Sequence, residues 1–142
     1  MPERDLPITG GCVCGEVRYE IDAEPLHAGY CHCTRCQRRS GTAASANLRP
    51  KPGSVTIVSG AELIRWWTPE RGWEKGFCSN CGSALFSRDP ADDDPGGVRM
   101  GTLDHHPGIE PSYRQFVAYA APWEPLPDDG LERFEESRGG HR

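Results

Sequence analysis

The sequence predicts an all-β domain built of short antiparallel strands. Apolar residues recur in short runs with a period of two, the pattern of half-buried strands. Turn formers separate these runs, with 17 Gly and 13 Pro among 142 residues. Many short strands between such turns point to an all-β architecture. Only 36% of the residues are hydrophobic, so the core is modest and gains from a cross-link. Closely spaced cysteines supply one.

Residues 1–10 are expected to form a loose arm. Residues 16–22 alternate, placing Val17, Tyr19 and Ile21 on one side of a strand. A short strand at 27–30 leads into the central cysteine cluster, and the polar stretch 37–41 is expected to turn. Strands are predicted at 43–48 and 54–58, separated by the breaker Arg49-Pro50-Lys51-Pro52-Gly53. Further strands are predicted at 63–68, 76–78 and 83–88, before an acidic surface loop at 89–97. The last strand candidates are 98–103 and 114–121, followed by a short helix at 131–137 and a frayed tail at 139–142. Trp66 and Trp67 are neighbours in a strand and therefore face opposite sides, one to the core and one able to wall a pocket. Tyr113, Phe116 and Tyr119 are expected to pack the sheet. No internal repeat or linker divides the chain, so residues 1–142 are expected to form one domain.

The net charge is −5, from 16 Lys plus Arg against 21 Asp plus Glu. That balance argues against a nucleic-acid binder, whose footprint is basic. No run approaches the roughly 18 apolar residues of a membrane span. The N-terminal stretch lacks the apolar centre of a secretion signal, so a cytoplasmic location is expected. Thiols stay reduced there, which favours metal binding over disulfides.

All seven cysteines fall in short spacings, Cys12-Val13-Cys14, Cys31-His32-Cys33-Thr34-Arg35-Cys36 and Cys78-Ser79-Asn80-Cys81. Structural zinc takes four ligands, whereas catalytic zinc keeps three protein ligands and an open position. Seven divides as four plus three. The two residues between Cys78 and Cys81 let the chain turn around an ion, and the flanking Gly11, Gly15 and Gly82 permit tight backbone. Cys12, Cys14, Cys78 and Cys81 are therefore read as a structural zinc site, with disulfides or another metal arrangement as the alternatives. Assembly of such a site is worth roughly 10–16 kcal/mol, against a net stability of about 5–15 kcal/mol for a whole domain. Cys31, Cys33 and Cys36 can cap one face of a second zinc. Its fourth position is left to water, to a small thiol, to His32, or to a distant group such as His105 or His106. An iron–sulfur cluster is a further alternative, although it normally takes four ligands.

Gly11-Cys-Val-Cys-Gly15, Cys31-His-Cys-Thr-Arg-Cys36 with Arg38-Arg-Ser-Gly41, and Phe77-Cys-Ser-Asn-Cys-Gly82 resemble the glutathione-dependent formaldehyde-activating enzyme family, which includes centromere protein V. Gly101-Thr-Leu-Asp104, Trp123 and Asp129-Gly-Leu131 extend the resemblance over residues 10–134, closest to the family's small bacterial branch. It implies an Mss4-like fold carrying two zinc ions. The structural ion falls on Cys12, Cys14, Cys78 and Cys81, and the catalytic ion on Cys31, Cys33 and Cys36. It also implies condensation of glutathione with formaldehyde to S-(hydroxymethyl)glutathione, a carbon–sulfur lyase reaction in reverse. The expected partners are thus a small thiol such as glutathione and an aldehyde, with neither nucleic acid nor membrane.

His32 titrates near neutrality when free, which suits a proton relay, or it serves as a hydrogen-bonded scaffold residue. Arg35, Arg38 and Arg39 lie close to the cluster in sequence. They are candidates to grip the carboxylates of glutathione by forked hydrogen bonds, or they are surface charges. Two other readings remain: a non-catalytic zinc-binding interaction module, and an enzyme acting on another thiol adduct.

Overall fold

The computed structural model describes residues 5–139. In chain order the elements are β1 (Ile8–Gly11), β2 (Arg18–Ile21), β3 (His27–Cys31), α1 (Thr34–Ser40), β4 (Ser45–Arg49), β5 (Val55–Ser59), β6 (Ile64–Trp67), β7 (Glu74–Cys78), β8 (Ala84–Arg88), β9 (Gly97–Arg99), β10 (Tyr113–Gln115) and β11 (Glu132–Arg133). They form a three-stranded sheet, β1-β2-β5, and an eight-stranded sheet, β11-β10-β3-β4-β9-β8-β7-β6. The fold is therefore mostly β with one short helix, and its two cysteine groups agree with the Mss4-like, metal-stapled class. No helix among the described residues is long and apolar enough to cross a membrane.

Strand alternation gives the large sheet two different faces. One face presents Leu48, Phe86 and Val98 to Ile8, Val17, Tyr19 and Ile21 of the small sheet and its turn, and these residues form one buried cluster. Tyr19 meets Phe86 edge to face at 5.2 Å between ring centroids, a favoured aromatic geometry. Trp66 stacks on the same Phe86 at 6.4 Å, with the Arg88 guanidinium 3.8 Å from the Trp66 ring. The opposite face carries the alternate residues. The register runs from Trp67 to Lys75 to Ser87 to Gly97, and beside it from Arg99 to Asn47. Trp67 is 46% exposed there, so the tryptophan pair divides as alternation requires.

Several elements differ from the sequence expectation. The arm at 1–10 is in part β1, because Ile8 is buried and pairs with Ile21; residues 1–4 lie outside the described part. The turn expected at 37–41 is the end of helix α1, which Gly41 closes by donating its N–H to Gln37 O. The Cys33 thiol caps the start by accepting from Cys36 N, and cysteine is not among the usual cap formers. The strand expected at 114–121 stops at Gln115, because Phe116 takes a left-handed φ of 57° and a 3-10 turn follows. The strand expected at 98–103 also ends in a 3-10 turn, Met100–Thr102.

The helix expected at 131–137 does not form. Leu131 N bonds the Asp129 carboxylate, and Phe134 N bonds Arg114 O, which holds the segment extended as β11. Pairing of β10 with both β3 and β11 is parallel, unlike the rest. Tyr113 packs as expected, edge to face on Phe134 at 6.3 Å, whereas Tyr119 is 46% exposed. Of the tail at 139–142, residues 140–142 lie outside the described part.

Phe86, on the large sheet, packs edge to face on Tyr19 of the small one. Phe86→Ala should lower stability by about 3–5 kcal/mol in denaturant unfolding. Val58→Ala, at a position 56% exposed, should change it by no more than about 0.5 kcal/mol.

Candidate functional site

The two cysteine groups predicted from spacing assemble in space. The thiol sulfurs of Cys12, Cys14, Cys78 and Cys81 lie within 4.8 Å of one another, and so do those of Cys31, Cys33 and Cys36. Cys12 follows β1 and Cys78 ends β7, so the first group joins the small sheet to the large one. Gly15 and Gly82 follow the two loops at φ values of 82° and 81°, which L side chains rarely adopt. Backbone N–H of Val17 donates to Cys12 Sγ at 3.3 Å, and Asn80 Nδ2 donates to Cys14 Sγ at 3.3 Å. The sulfurs of Cys12 and Cys14 are 3.4 Å apart, and those of Cys14 and Cys78 are 3.9 Å apart. A tetrahedron with metal–sulfur bonds of about 2.3 Å has edges of about 3.8 Å. The four residues therefore fit a metal ion.

The second group is built at a strand-to-helix junction. Cys31 ends β3, Cys33 caps α1, and Cys36 lies in the helix's first turn, 8% exposed. The cap bond from Cys36 N to Cys33 Sγ, 3.3 Å long, ties the Cys33 thiol to the backbone of Cys36. Thiols this close conflict when they ionise. Cys36 is pulled well down, first by the thiols of Cys31 and Cys33 and then by the Ser45 hydroxyl and the Arg99 charge. Cys31 is pushed up, first by its contacts with Cys33 and Cys36 and then by burial. A dication removes that conflict by stabilising every thiolate. Among the described residues no His, Asp or Glu joins the trio.

All three thiols line a cavity of about 420 Å³, within the roughly 300–1,000 Å³ usual for small-molecule sites. Phe116 and Trp73 contribute apolar wall, and Asn47, Lys75, Ser87 and Arg99 line it from the large sheet.

His32 is only 3% exposed and is turned onto Arg114, with Nε2 3.2 Å from the guanidinium. Arg114 in turn donates to the Asp129 carboxylate at 2.8 Å. Burial, followed by the charge of Arg114, holds the His32 imidazole below its ordinary pKa. His105 and His106 are exposed, and the His106 Nδ1 accepts from Gly108 N at 2.9 Å. Arg35 lines the cavity. Arg38 and Arg39 border an adjoining groove with Thr34, Arg35 and Trp67, and Arg39 lies over Phe77 at 5.7 Å. Lys75, Arg99 and Arg114 were not singled out from sequence, and Asp129 entered there only through the family resemblance. The alternation of β7 and β9 was the available signal, because Gly76 and Val98 face the core and their neighbours must face away.

Comparison with known proteins fits this geometry. The sequence profile described as glutathione-dependent formaldehyde-activating enzyme matches residues 7–119, most of the chain. The chain belongs to that family. A Halomonas elongata protein that carries the family's name provisionally is 30% identical over 89 residues. That match covers 58% of this chain and 57% of the relative, so the chain spans little more than half the length of that protein. A crystal structure of a Rhodobacter sphaeroides protein superposes with a TM-score of 0.54 at 25% identity. It covers 89% of this chain and 99% of that one. The family match includes all seven cysteines, and with them both groups able to hold metal.

The two groups should differ on metal loss. Cys78→Ser should remove one equivalent of bound metal and lower the thermal midpoint steeply, since that site joins the sheets. Cys36→Ser should remove the other with a much smaller loss. Metal analysis beside thermal unfolding checks both.

Proposed function

We propose that the protein activates a small thiol, such as glutathione, for reversible addition to an aldehyde. This is an S-(hydroxymethyl)glutathione synthase-like reaction, a carbon–sulfur lyase in reverse. The observation that carries the reading is the contrast between the metal-binding groups. None of Cys12, Cys14, Cys78 and Cys81 lines the ligand-sized cavity, whereas Cys31, Cys33 and Cys36 all do. We assign zinc to both, structural on the four and catalytic on the three, because all-thiolate ligation favours it in a reducing cytoplasm. Zinc supplies a Lewis acid that favours thiolate over thiol at neutral pH.

The chain's own residues place the reactants. Cys33 and Cys36 are held by the cap of α1, and Cys31 by its pairing with Ser45 on β4. His32 acts from behind the site. Its N–H donates to Gln115 O at 3.0 Å, its carbonyl accepts from Gln37 Nε2 at 2.8 Å, and its ring rests on Arg114. Held neutral and buried, it positions the flanking cysteines and carries no proton to the cavity. Arg35 is the member of its trio placed to meet an anionic thiol in the cavity, with Arg38 and Arg39 at the adjoining groove. Phe116 and Trp73 limit water around the reacting carbon.

Exchange of formaldehyde with glutathione, followed by NMR, tests the reading. The zinc-loaded protein should accelerate it, and Cys36→Ser should lose roughly a hundredfold or more of that effect. Exchange no faster than the spontaneous reaction would remove the assignment.

A further inference from the structure

The large sheet ends at β6, which has β7 on one side and, among the described residues, no strand on the other. Ser79 N bonds Leu63 O at 2.8 Å, and hydrogen-bonded pairs recur at every second residue of an antiparallel ladder. The backbones of Arg65 and Trp67 therefore bond to β7, and Trp66 turns its N–H and C=O to the open edge. Such an edge is a template for a further strand.

The side chains along β6 differ between its two faces. Ile64 and Trp66 are half-buried on the core side, where Trp66 stacks on Phe86. Arg65 and Trp67 are exposed on the side of α1, whose Arg39 lies over Phe77, the residue opposite Arg65 on β7. Arg38 and Arg39 meet Trp67 in one groove, and no Asp or Glu lines it. Glu62 and Glu70, the acids nearest β6 in sequence, lie beyond its two ends. The ion pairs among the described residues leave out Arg38, Arg39 and Arg65. A chain of net charge −5 thus sets three arginines, with no carboxylate between them, along an open edge.

We infer that β6 is a docking edge for an acidic polypeptide segment of a partner protein, which joins the sheet as an added strand. The main chain of that segment pairs with Trp66. Its acidic side chains, at alternate positions, meet Arg65, Arg38 and Arg39, and the apolar ones between them extend the row of Ile64 and Trp66. Charge selects this occupant over a second copy of the chain, which would bring the same arginines to the seam, and like charges across a ladder destabilise it. Arg38, Arg39 and Trp67 do not line the three-thiol cavity, so the inference stands apart from the thiol chemistry.

The probe is a fluorescein-labelled peptide alternating Glu and Val over about eight residues, a usual strand length. Its binding to the metal-loaded full chain is followed by fluorescence anisotropy. Trp67→Ala should weaken it about tenfold at unchanged thermal midpoint, and so should the double variant Arg38→Gln/Arg65→Gln. A peptide with Gln in place of Glu should bind at least about tenfold more weakly, as should one N-methylated at every residue, which has no N–H to donate to the ladder. Affinity should fall as salt rises.

No binding of the Glu–Val peptide at about 1 mM overturns the inference. So does equal binding of the Gln or the N-methylated peptide, or unchanged affinity in the variants. Should Trp67→Ala lower the thermal midpoint, the double arginine variant decides the matter. A dimer in sedimentation that Arg65→Glu disperses would make a second copy the occupant instead. A single-stranded oligonucleotide that displaces the probe at lower concentration than unlabelled peptide would make it a nucleic acid, and either result sinks the proposal.

Discussion

The four-thiol group formed by Cys12, Cys14, Cys78 and Cys81 is the contact on which the rest of the fold depends. It closes a sequence separation of 64 residues between Cys14 and Cys78. It also fastens the end of β1, in the small sheet, to the end of β7, in the large one. Bringing distant segments together costs chain entropy that grows slowly with loop length. A core drawn from a chain only 36% hydrophobic offsets less of that cost than usual. A metal ion held at the junction would supply the difference at one point. The buried cluster of Tyr19, Phe86, Leu48 and Val98 then packs between sheets already held in register.

That junction leaves one face of the large sheet to line the cavity. Alternation sends Phe86 and Val98 inward to the core and sends Lys75, Ser87 and Arg99 to the opposite side. Helix α1 lies across that second face, with Arg39 over Phe77, and its first turn delivers Cys33 and Cys36 to the cavity. The C-terminal segment completes the wall through Phe116 and Arg138 and supports it through the Asp129–Arg114–His32 chain. The same pleat thus separates a core-packed face from a cavity-lining one.

Most strands were legible because their signals are local. Val17, Tyr19 and Ile21 alternate, and all three are buried. The breaker between 49 and 53 separates β4 from β5 as its prolines require. The failures were places where a distant partner overrides local preference. Segment 131–137 has helix-compatible composition, yet Phe134 N is taken by Arg114 O. β1 has little periodicity of its own and exists because β2 pairs with it. Helix α1 was missed because a cysteine caps it.

The cysteine spacings by themselves determined how many ligands each group offers, and the motifs around them determined the family. Closely spaced thiols must be neighbours in space, which accounts for each short run, whereas the meeting of the runs at 12–14 and 78–81 is made by the fold. Tertiary structure alone decided which group faces a cavity, where the His32 ring points, and which cations surround the thiols. Lys75 and Arg99 come from strands paired through β8, and Arg114 reaches His32 across 82 positions. No local pattern encodes such meetings, because they follow from sheet register and from which face of the pleat the core occupies.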